Sequence, residues 1–426
     1  MILALFILLF ILLLISTPVF VALSFASLII FVFFSDLSLT IVVQRMFGGI
    51  DKFAIMAVPF FILGANVMKA GGIARRILDC AHVLVGRARG GLALTTELAC
   101  MFFGAVSGSS PATVVAIGSI MYPALVEKKY SPGFSAGLVT ASGSVALLIP
   151  PSISAIIYGA VTGVSVGALF MAGLGAGIVY GLLYLAYCYY YARKHNIPTD
   201  KAYGWREIWK ALKEASWALG IPIIIMGGIY LGVFTPTEAS GIAAAYAIFV
   251  SMVIYKELDW RGLYQAAVQS AVSTAQVMVL LAGASVFGWL LTVGQVPQDL
   301  TRMVIESNSS PIMFLMGINV ILILAGMFID GSSAIVILAP LVYPIAIQLG
   351  IDPVHLGVIM VANAAIGMFT PPFGLNLFVA TSTTGLPILN IMKAVMPFVV
   401  ISIFVLLLIT YLPDISLLIP RMVYGI

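Results

Sequence analysis

The sequence predicts an all-α polytopic membrane protein built from two inverted, pseudo-repeated halves, and three observations predict it. Of 426 residues, 62% are apolar and 8% charged, against about 45–50% and roughly 25% in ordinary globular domains. Apolar runs long enough for a membrane helix, about 20 residues, recur along the whole length. Finally, Tyr122-Pro123, Ser131-Pro132 and Pro150-Pro151 recur 221 residues later as Tyr343-Pro344, Asp352-Pro353 and Pro371-Pro372.

In chain order, residues 1–34 carry no charge and exceed a signal-peptide core of about 7–15 residues. They read as one retained helix, bent near Ser16-Thr17-Pro18 because proline lacks an amide donor. A span at 52–68 leads to an amphipathic segment flanked by Arg75, Arg76, Arg87 and Arg89, expected at the cytoplasmic interface with its arginines reaching the headgroups. Stretches 91–125 and 311–349 are interrupted by Ser107-Gly108-Ser109-Ser110-Pro111 and by Asp330-Gly331-Ser332-Ser333. Each reads as a re-entrant helical hairpin that enters and leaves by one face. Stretches 132–165 and 353–385 contain the Pro-Pro pairs and read as broken transmembrane helices. Further spans fall near 167–191, 216–234, 238–255 and 263–293, an external segment at 294–310, and a C-terminal helix at 387–426.

Charge sets the orientation. Residues 193–214 carry Arg193, Lys194, Lys201, Arg206, Lys210 and Lys213 against three acids, which places them in the cytoplasm by the positive-inside rule. Counting spans from there puts Glu127-Lys128-Lys129 and the basic 256–261 segment on the same side. The first Pro-Pro span then runs from inside to outside and the second from outside to inside, so the repeats are inverted. Gly108-Ser109-Ser110 against Gly331-Ser332-Ser333, and Thr162-Gly163 against Thr384-Gly385, extend the match.

Inverted repeats with interrupted helices are a recurring architecture of secondary transporters, with sites near the membrane midplane. The expected organisation is N-terminal scaffold and interfacial segment at 1–90, a transport repeat at 91–166, scaffold and connecting helices at 167–310, a second transport repeat at 311–386 and a terminal helix at 387–426.

Non-helical backbone at membrane depth survives only where protein or a water-filled cavity satisfies it, so each tip points to a site. A tip that starts a helix offers free N–H groups to an anion, with Ser109 and Ser332 placed to cap it or to meet a ligand oxygen. Pro-Pro breaks leave upstream carbonyls without helical partners, suiting a small hard cation such as sodium. Candidate cation sites are therefore Ser107, Ser110, Gly143 and Pro150 in the first half, and Gly326, Gly331, Gly367 and Thr370 in the second. The bland alternative is that small residues simply allow close helix packing. Asp330 is the only acid between Ile312 and Gly350, and an intramembrane carboxylate is costly enough to suggest ligand or ion contact. Ser152, Ser154 and Asn376 follow the breaks and are further candidates. Glu97 faces either the interior or the cytoplasmic boundary, and Glu238 starts a helix; neither is assigned to substrate.

Other classes are disfavoured. Cys80, Cys100 and Cys188 have no disulfide or metal-ligand spacing, a dispersed net charge of +4 suggests no nucleic acid, and no phosphate-binding GxxxxGK[ST] loop for ATP is present. An intramembrane hydrolase would need a Ser–His pair or two facing acids. His82, His195 and His355 fall in or beside boundary segments, and Asp330 has no evident partner acid.

The string Gly232-Val233-Phe234-Thr235-Pro236-Thr237-Glu238-Ala239, the SGSS tip and the Pro-Pro breaks resemble the large membrane subunit of tripartite ATP-independent periplasmic (TRAP) transporters, over the whole chain. That resemblance implies a bacterial inner-membrane, sodium-driven permease whose elevator domain holds both hairpins. It also implies a small four-helix membrane subunit, expected as a separate chain, and a soluble periplasmic substrate-binding protein. Sodium would be the coupling ion, with no other cofactor. TRAP substrates are mostly organic anions, including C4-dicarboxylates and sialic acid; the family's sialic acid contacts, carried over, fall on Ser107, Ser109, Ser154 and Asp330, and sialic acid is the expected cargo. The nearest alternative is a stand-alone sodium/anion symporter.

Overall fold

The computed structural model describes residues 1–34, 38–86, 88–199 and 204–424, the side chains of Val106 and Tyr424 excepted. Arg87 and Lys201, both used above for topology, lie outside the described residues. Among the described residues all regular structure is helical, and nine helices are long and apolar enough to cross a membrane.

Residues 1–34 form two helices, α1 (Ile2–Leu14) and α2 (Val19–Phe34), rather than one bent helix. Pro18 lacks an N–H and disfavours helical geometry at Thr17, and Ser16 is left-handed with φ 63°, so the chain breaks and α1 packs on α2. Next come α3 (Thr40–Ile50) and α4 (Ala57–Ala70), the latter entered through a 3-10 turn, Phe53–Met56. Amphipathic α5 (Ile73–Val85) follows; its Arg76 pairs with Glu257 at 2.8 Å and covers the Tyr255 ring at 3.7 Å.

The first repeat comprises α6 (Gly91–Ser107), α7 (Ser110–Glu127), α8 (Pro132–Val145) and α9 (Ile153–Thr162). Between the repeats lie α10 (Val166–Lys194), α11 (Trp205–Tyr230), α12 (Pro236–Phe249, continued by a π turn, Val250–Ile254), α13 (Trp260–Val293) and α14 (Val296–Glu306). The same four-element order then recurs as α15 (Pro311–Phe328), α16 (Gly331–Gln348), α17 (Pro353–Gly367) and α18 (Leu375–Thr384), before α19 (Ile388–Tyr411) and α20 (Asp414–Tyr424). Helix α14 lies within the segment expected only as an external connection.

Local chemistry explains the boundaries. Ser131 and Asp352 cap α8 and α17: Ser131 Oγ accepts from Phe134 N at 3.2 Å, and Asp352 Oδ1 accepts from Val354 N at 2.8 Å. Both helices then start on a proline, whose missing N–H costs nothing there. Thr235 and Glu238 close a capping box on α12, so Glu238 is a first-turn acid. Helices α9 and α18 end alike at Gly163 and Gly385, with φ of 81° and 73°.

Two packing groups emerge. Helix α13 lies against α2, α3 and α4, α12 against α4 and α11, and α11 against α5. The second group joins α6, α7, α8 and α18 on one side to α9, α15, α16 and α17 on the other, with α10 and α19 packed on both α8 and α17. Between α10 and α19, Tyr180 Oη donates to Ser402 Oγ at 2.6 Å, Tyr184 Oη lies 2.8 Å from the same oxygen, and all three residues are fully buried. Ser402→Ala strands these hydroxyls and is expected to cost about 1–3 kcal/mol, read as a lowered thermal unfolding midpoint. Adding Tyr180→Phe and Tyr184→Phe should recover part of it, and an unchanged midpoint for Ser402→Ala alone would contradict the contact.

Candidate functional site

A cavity of about 320 Å³ opens where the repeats meet α4 and α13. From the repeats its walls include Ser107, Ser109 and Ser110 at the first tip, Ser154 on α9, and Asp330, Gly331 and Ser332 at the second tip. Asn66 on α4 and Ser273 and Gln276 on α13 line the facing wall. Ser273 and Gln276 fall about halfway along α13, so the cavity lies at mid-depth.

Four helices begin on this cavity: Ser110 opens α7, Ile153 opens α9, Gly331 opens α16 and Leu375 opens α18, and all four residues line it. Each helix start carries about half a positive charge and unsatisfied N–H groups. Among the described residues no lysine or arginine lines the cavity, and its one ionisable side chain is the Asp330 carboxyl. Polarity there comes from backbone, hydroxyls and amides.

The two tips are built differently. At the first, Gly108 turns with φ 56°, a conformation that favours glycine, and a Cβ there would lie 2.7 Å from Pro151 O of the α8–α9 break. Ser109 is the residue before α7 but makes no side-chain cap, leaving that helix start open to the cavity. Ser107 Oγ instead sits 3.0 Å from Thr113 Oγ1, which donates to Ser109 O at 2.9 Å. At the second tip the cap is Asp330, not Ser332. Asp330 Oδ1 accepts from Ser332 N at 3.0 Å and Ser333 N at 3.1 Å, and Ser333 Oγ donates to Oδ2. Asp330 is the extended residue just before α16, so its carboxylate holds the capping position, while Ser332, already inside the helix, lines the cavity.

The remaining candidates lie behind these walls. Gly143 packs on the first turn of α7, where a Cβ would come within 3.3 Å of Ser110 O. Asn376 is fully buried and its Nδ2 donates to Ser110 Oγ at 2.6 Å and to Thr140 O at 3.2 Å, while its Oδ1 has no hydrogen-bond partner. Asn376 thus ties the second break to the first tip rather than lining the cavity. Pro150 is buried in the first break; Pro150–Pro151 and Pro371–Pro372 are both cis. In the second half Gly326 meets Gly367 backbone to backbone, Gly331 packs on Ala364, and Thr370 Oγ1 turns back to Ile366 O at 2.6 Å. Ser152 caps α9 through Ala155 N at 3.2 Å.

Sequence reasoning missed Asn66, Ser273, Gln276 and Thr113. A signal existed for two of them: Gln269, Ser273 and Gln276 follow i, i+4, i+7 spacing, one face of a helix, inside an uncharged membrane-length run. Asn66 Nδ2 donates to Ser270 Oγ at 2.8 Å, holding α4 to α13 behind the cavity wall.

Comparison with known proteins bears on the whole chain. Residues 6–415 match the family model described as "Tripartite ATP-independent periplasmic transporter, DctM component". The chain is 40% identical to the C4-dicarboxylate TRAP transporter large permease protein DctM of Vibrio cholerae, over 99% of this chain and 98% of that one. It is 35% identical to the sialic acid TRAP transporter large permease protein SiaM of the same organism, over 96% of each. It is also 41% identical to the isethionate TRAP transporter permease protein DctMQ of Oleidesulfovibrio alaskensis, covering 95% of this chain but 64% of that one. Among solved structures, the Alcanivorax borkumensis YdaH transporter aligns with a TM-score of 0.62 at 16% identity, over 90% of this chain and 91% of that one; at that identity the likeness speaks for the fold.

Proposed function

We propose, from the premise that this chain belongs to the DctM component family of tripartite ATP-independent periplasmic transporters, that it imports a small organic acid anion by sodium symport. As a TRAP large permease it is a multi-pass protein of the bacterial inner membrane, and a transporter rather than an enzyme.

The observation that carries the anion reading is the convergence of four helix starts on one mid-depth cavity that has no cationic side chain among the described residues. Helix N-termini stabilise a carboxylate, and the open start of α7, with Ser107 and Ser109, is the best-placed receptor. Ser154, Ser332 and Asp330 would complete the ligand's surroundings, and Asn376 would support Ser110 from behind. Because an anion brought beside Asp330 meets no formal positive charge, a cation must enter with it. The unpartnered Asn376 Oδ1 beside Ser110 supports such an ion at the first tip–break joint, with Ser107, Ser110, Gly143 and Pro150. Gly326, Gly331, Gly367 and Thr370 form the corresponding joint in the second half. Sodium that binds better when substrate is present, and the reverse, supplies the coupling.

In this reading the hairpins at 91–125 and 311–349 are re-entrant, and 91–166 with 311–386 move as an elevator past the α1–α5 and α11–α13 scaffold. Helices α10, α14, α19 and α20, which pack on the repeat helices, would travel with them. A periplasmic binding protein would deliver the anion. A small membrane subunit would assist the permease.

Both C4-dicarboxylates and sialic acid carry the carboxylate this site would receive. Greater identity to the relative named for C4-dicarboxylates, 40% against 35%, favours the smaller cargo over sialic acid. The test is uptake of labelled succinate and labelled sialic acid into proteoliposomes holding this chain and its small partner, with and without a sodium gradient and a loaded binding protein. Succinate uptake requiring both is expected. Uptake by this chain alone would indicate a stand-alone symporter, and uptake indifferent to sodium would remove the proposed cation joints.

A further inference from the structure

One acid in the hairpin unit is used by neither the cavity nor the proposed cation joints. Glu97 on α6 is fully buried, and neither of its carboxyl oxygens has a hydrogen-bond partner. Ser142 Oγ on α8 lies against it, outside bonding geometry and likewise unpartnered. Cys100, one turn along α6, and Tyr180, Tyr184 and Cys188 on α10 are the other titratable groups around it. Both tyrosines are already engaged with Ser402, and on α5 His82 is turned to Thr95, at 3.2 Å. Among the described residues no lysine, arginine or histidine from α4, α5, α7, α8, α10 or α11 acts on this carboxyl.

A carboxylate so placed, without a counter-charge and with only the Ser142 hydroxyl beside it, is costly to bury, and removing its charge requires a proton or a bound cation. A protonated carboxyl is one O–H donor with acceptor capacity left over, and Ser142 Oγ is the acceptor within reach. We propose that Glu97 is a proton-binding site of the hairpin unit, donating to Ser142 Oγ when protonated, and that exchange of this proton makes transport pH-dependent in addition to any sodium requirement. Glu97 lies six residues beyond the start of α6, about 9 Å of helix rise, so the short route for the proton leads to the face where α5 lies.

The transport arm of the test rests on the proposed sodium-driven uptake; a spectroscopic arm does not. In infrared difference spectra taken across pH, the purified protein is expected to show a protonated-carboxyl C=O band that Glu97→Gln lacks and Glu97→Asp shifts. In proteoliposomes, uptake by the parent should fall at least about fivefold as internal pH is raised from 6 to 9. Glu97→Gln, which mimics the neutral acid, should hold its pH 6 rate across that range. Absence of the band overturns the proposal, as does a Glu97→Gln pH profile that follows the parent. Loss of a sodium-dependent step in Glu97→Gln would also overturn it, by making the site one for a sodium ion on an ionised carboxylate. Should Glu97→Gln fail to fold, the shift in Glu97→Asp and the parent's own band decide the matter, and a silent uptake assay with the band present counts against the transport reading alone.

Discussion

Gly367→Ala is expected to lose most of its folded yield and transport, while Gly317→Ala keeps both. A Cβ on Gly367 would lie 2.6 Å from Gly326 Cα, 2.7 Å from its carbonyl carbon and 3.0 Å from its oxygen. All three are backbone atoms, so no rotamer change relieves the clash, and α15 must part from α17. Overpacking of this kind typically costs about 1–3 kcal/mol and sometimes more. The displaced helices carry the second tip and the second break, so the damage reaches the cavity as well as the core. Gly317 lies on the same helix, α15, with nothing within 4 Å of a Cβ, and alanine there gains roughly 0.5–1 kcal/mol of helix propensity. Thermal unfolding in detergent and uptake in proteoliposomes read both variants. Equal behaviour would mean that the second hairpin and the second broken helix do not meet through these glycines.

The contrast shows which features a linear reading reaches. Proline is legible because its effect is local: Pro132 and Pro353 start α8 and α17 after capping residues, and the two Pro-Pro pairs fall in the breaks. Gly108 and Asp330 at the tips were legible because polar or glycine-rich sequence inside an apolar run needs a special environment. Pro18 signalled an interruption, but whether α1 and α2 form one bent helix or two depends on how far the chain turns at Ser16, which the proline alone does not determine. Helix α14 was missed because eleven amphipathic residues do not stand out beside membrane spans on hydropathy alone.

The long-range contacts around the cavity are a different case. Asn376 reaches Ser110 across 266 positions, and Asn66 meets Ser270 across 204. No period or spacing encodes such pairings, since they follow from how already-formed helices dock. The division of labour at the second tip was hidden for a subtler reason. Asp330, Ser332 and Ser333 all have capping side chains, and only the backbone path, extended at Asp330, decides which one turns onto the helix start.

Asp330→Ala and Asp330→Asn are expected to separate that structural role from a role toward ions. In Asp330→Ala, Ser332 N, Ser333 N and Ser333 Oγ lose their acceptor at once. Hydrogen bonds to a charged group are worth about 1.5–3 kcal/mol each when fully lost; water from the cavity compensates in part, so a net loss of about 1–3 kcal/mol is expected, with uptake down at least about tenfold. Asparagine retains one oxygen able to cap the helix but carries no charge. Asp330→Asn should therefore unfold near the parent's midpoint. If Asp330 only caps, its uptake will also match the parent's. If the carboxylate helps balance sodium against the helix starts, uptake by Asp330→Asn will need several-fold more sodium for half-maximal rate while its stability stays put. Because Ser107, Ser109, Ser110 and Ser154 all line the same cavity and are neutral, Asp330 alone among the described residues supplies a side-chain charge there, and a sodium requirement that moves with it assigns that charge to coupling. A sodium requirement unchanged in Asp330→Asn, with stability also unchanged, would return the cation joints to hydroxyls, amides and backbone carbonyls and leave Asp330 as the helix cap.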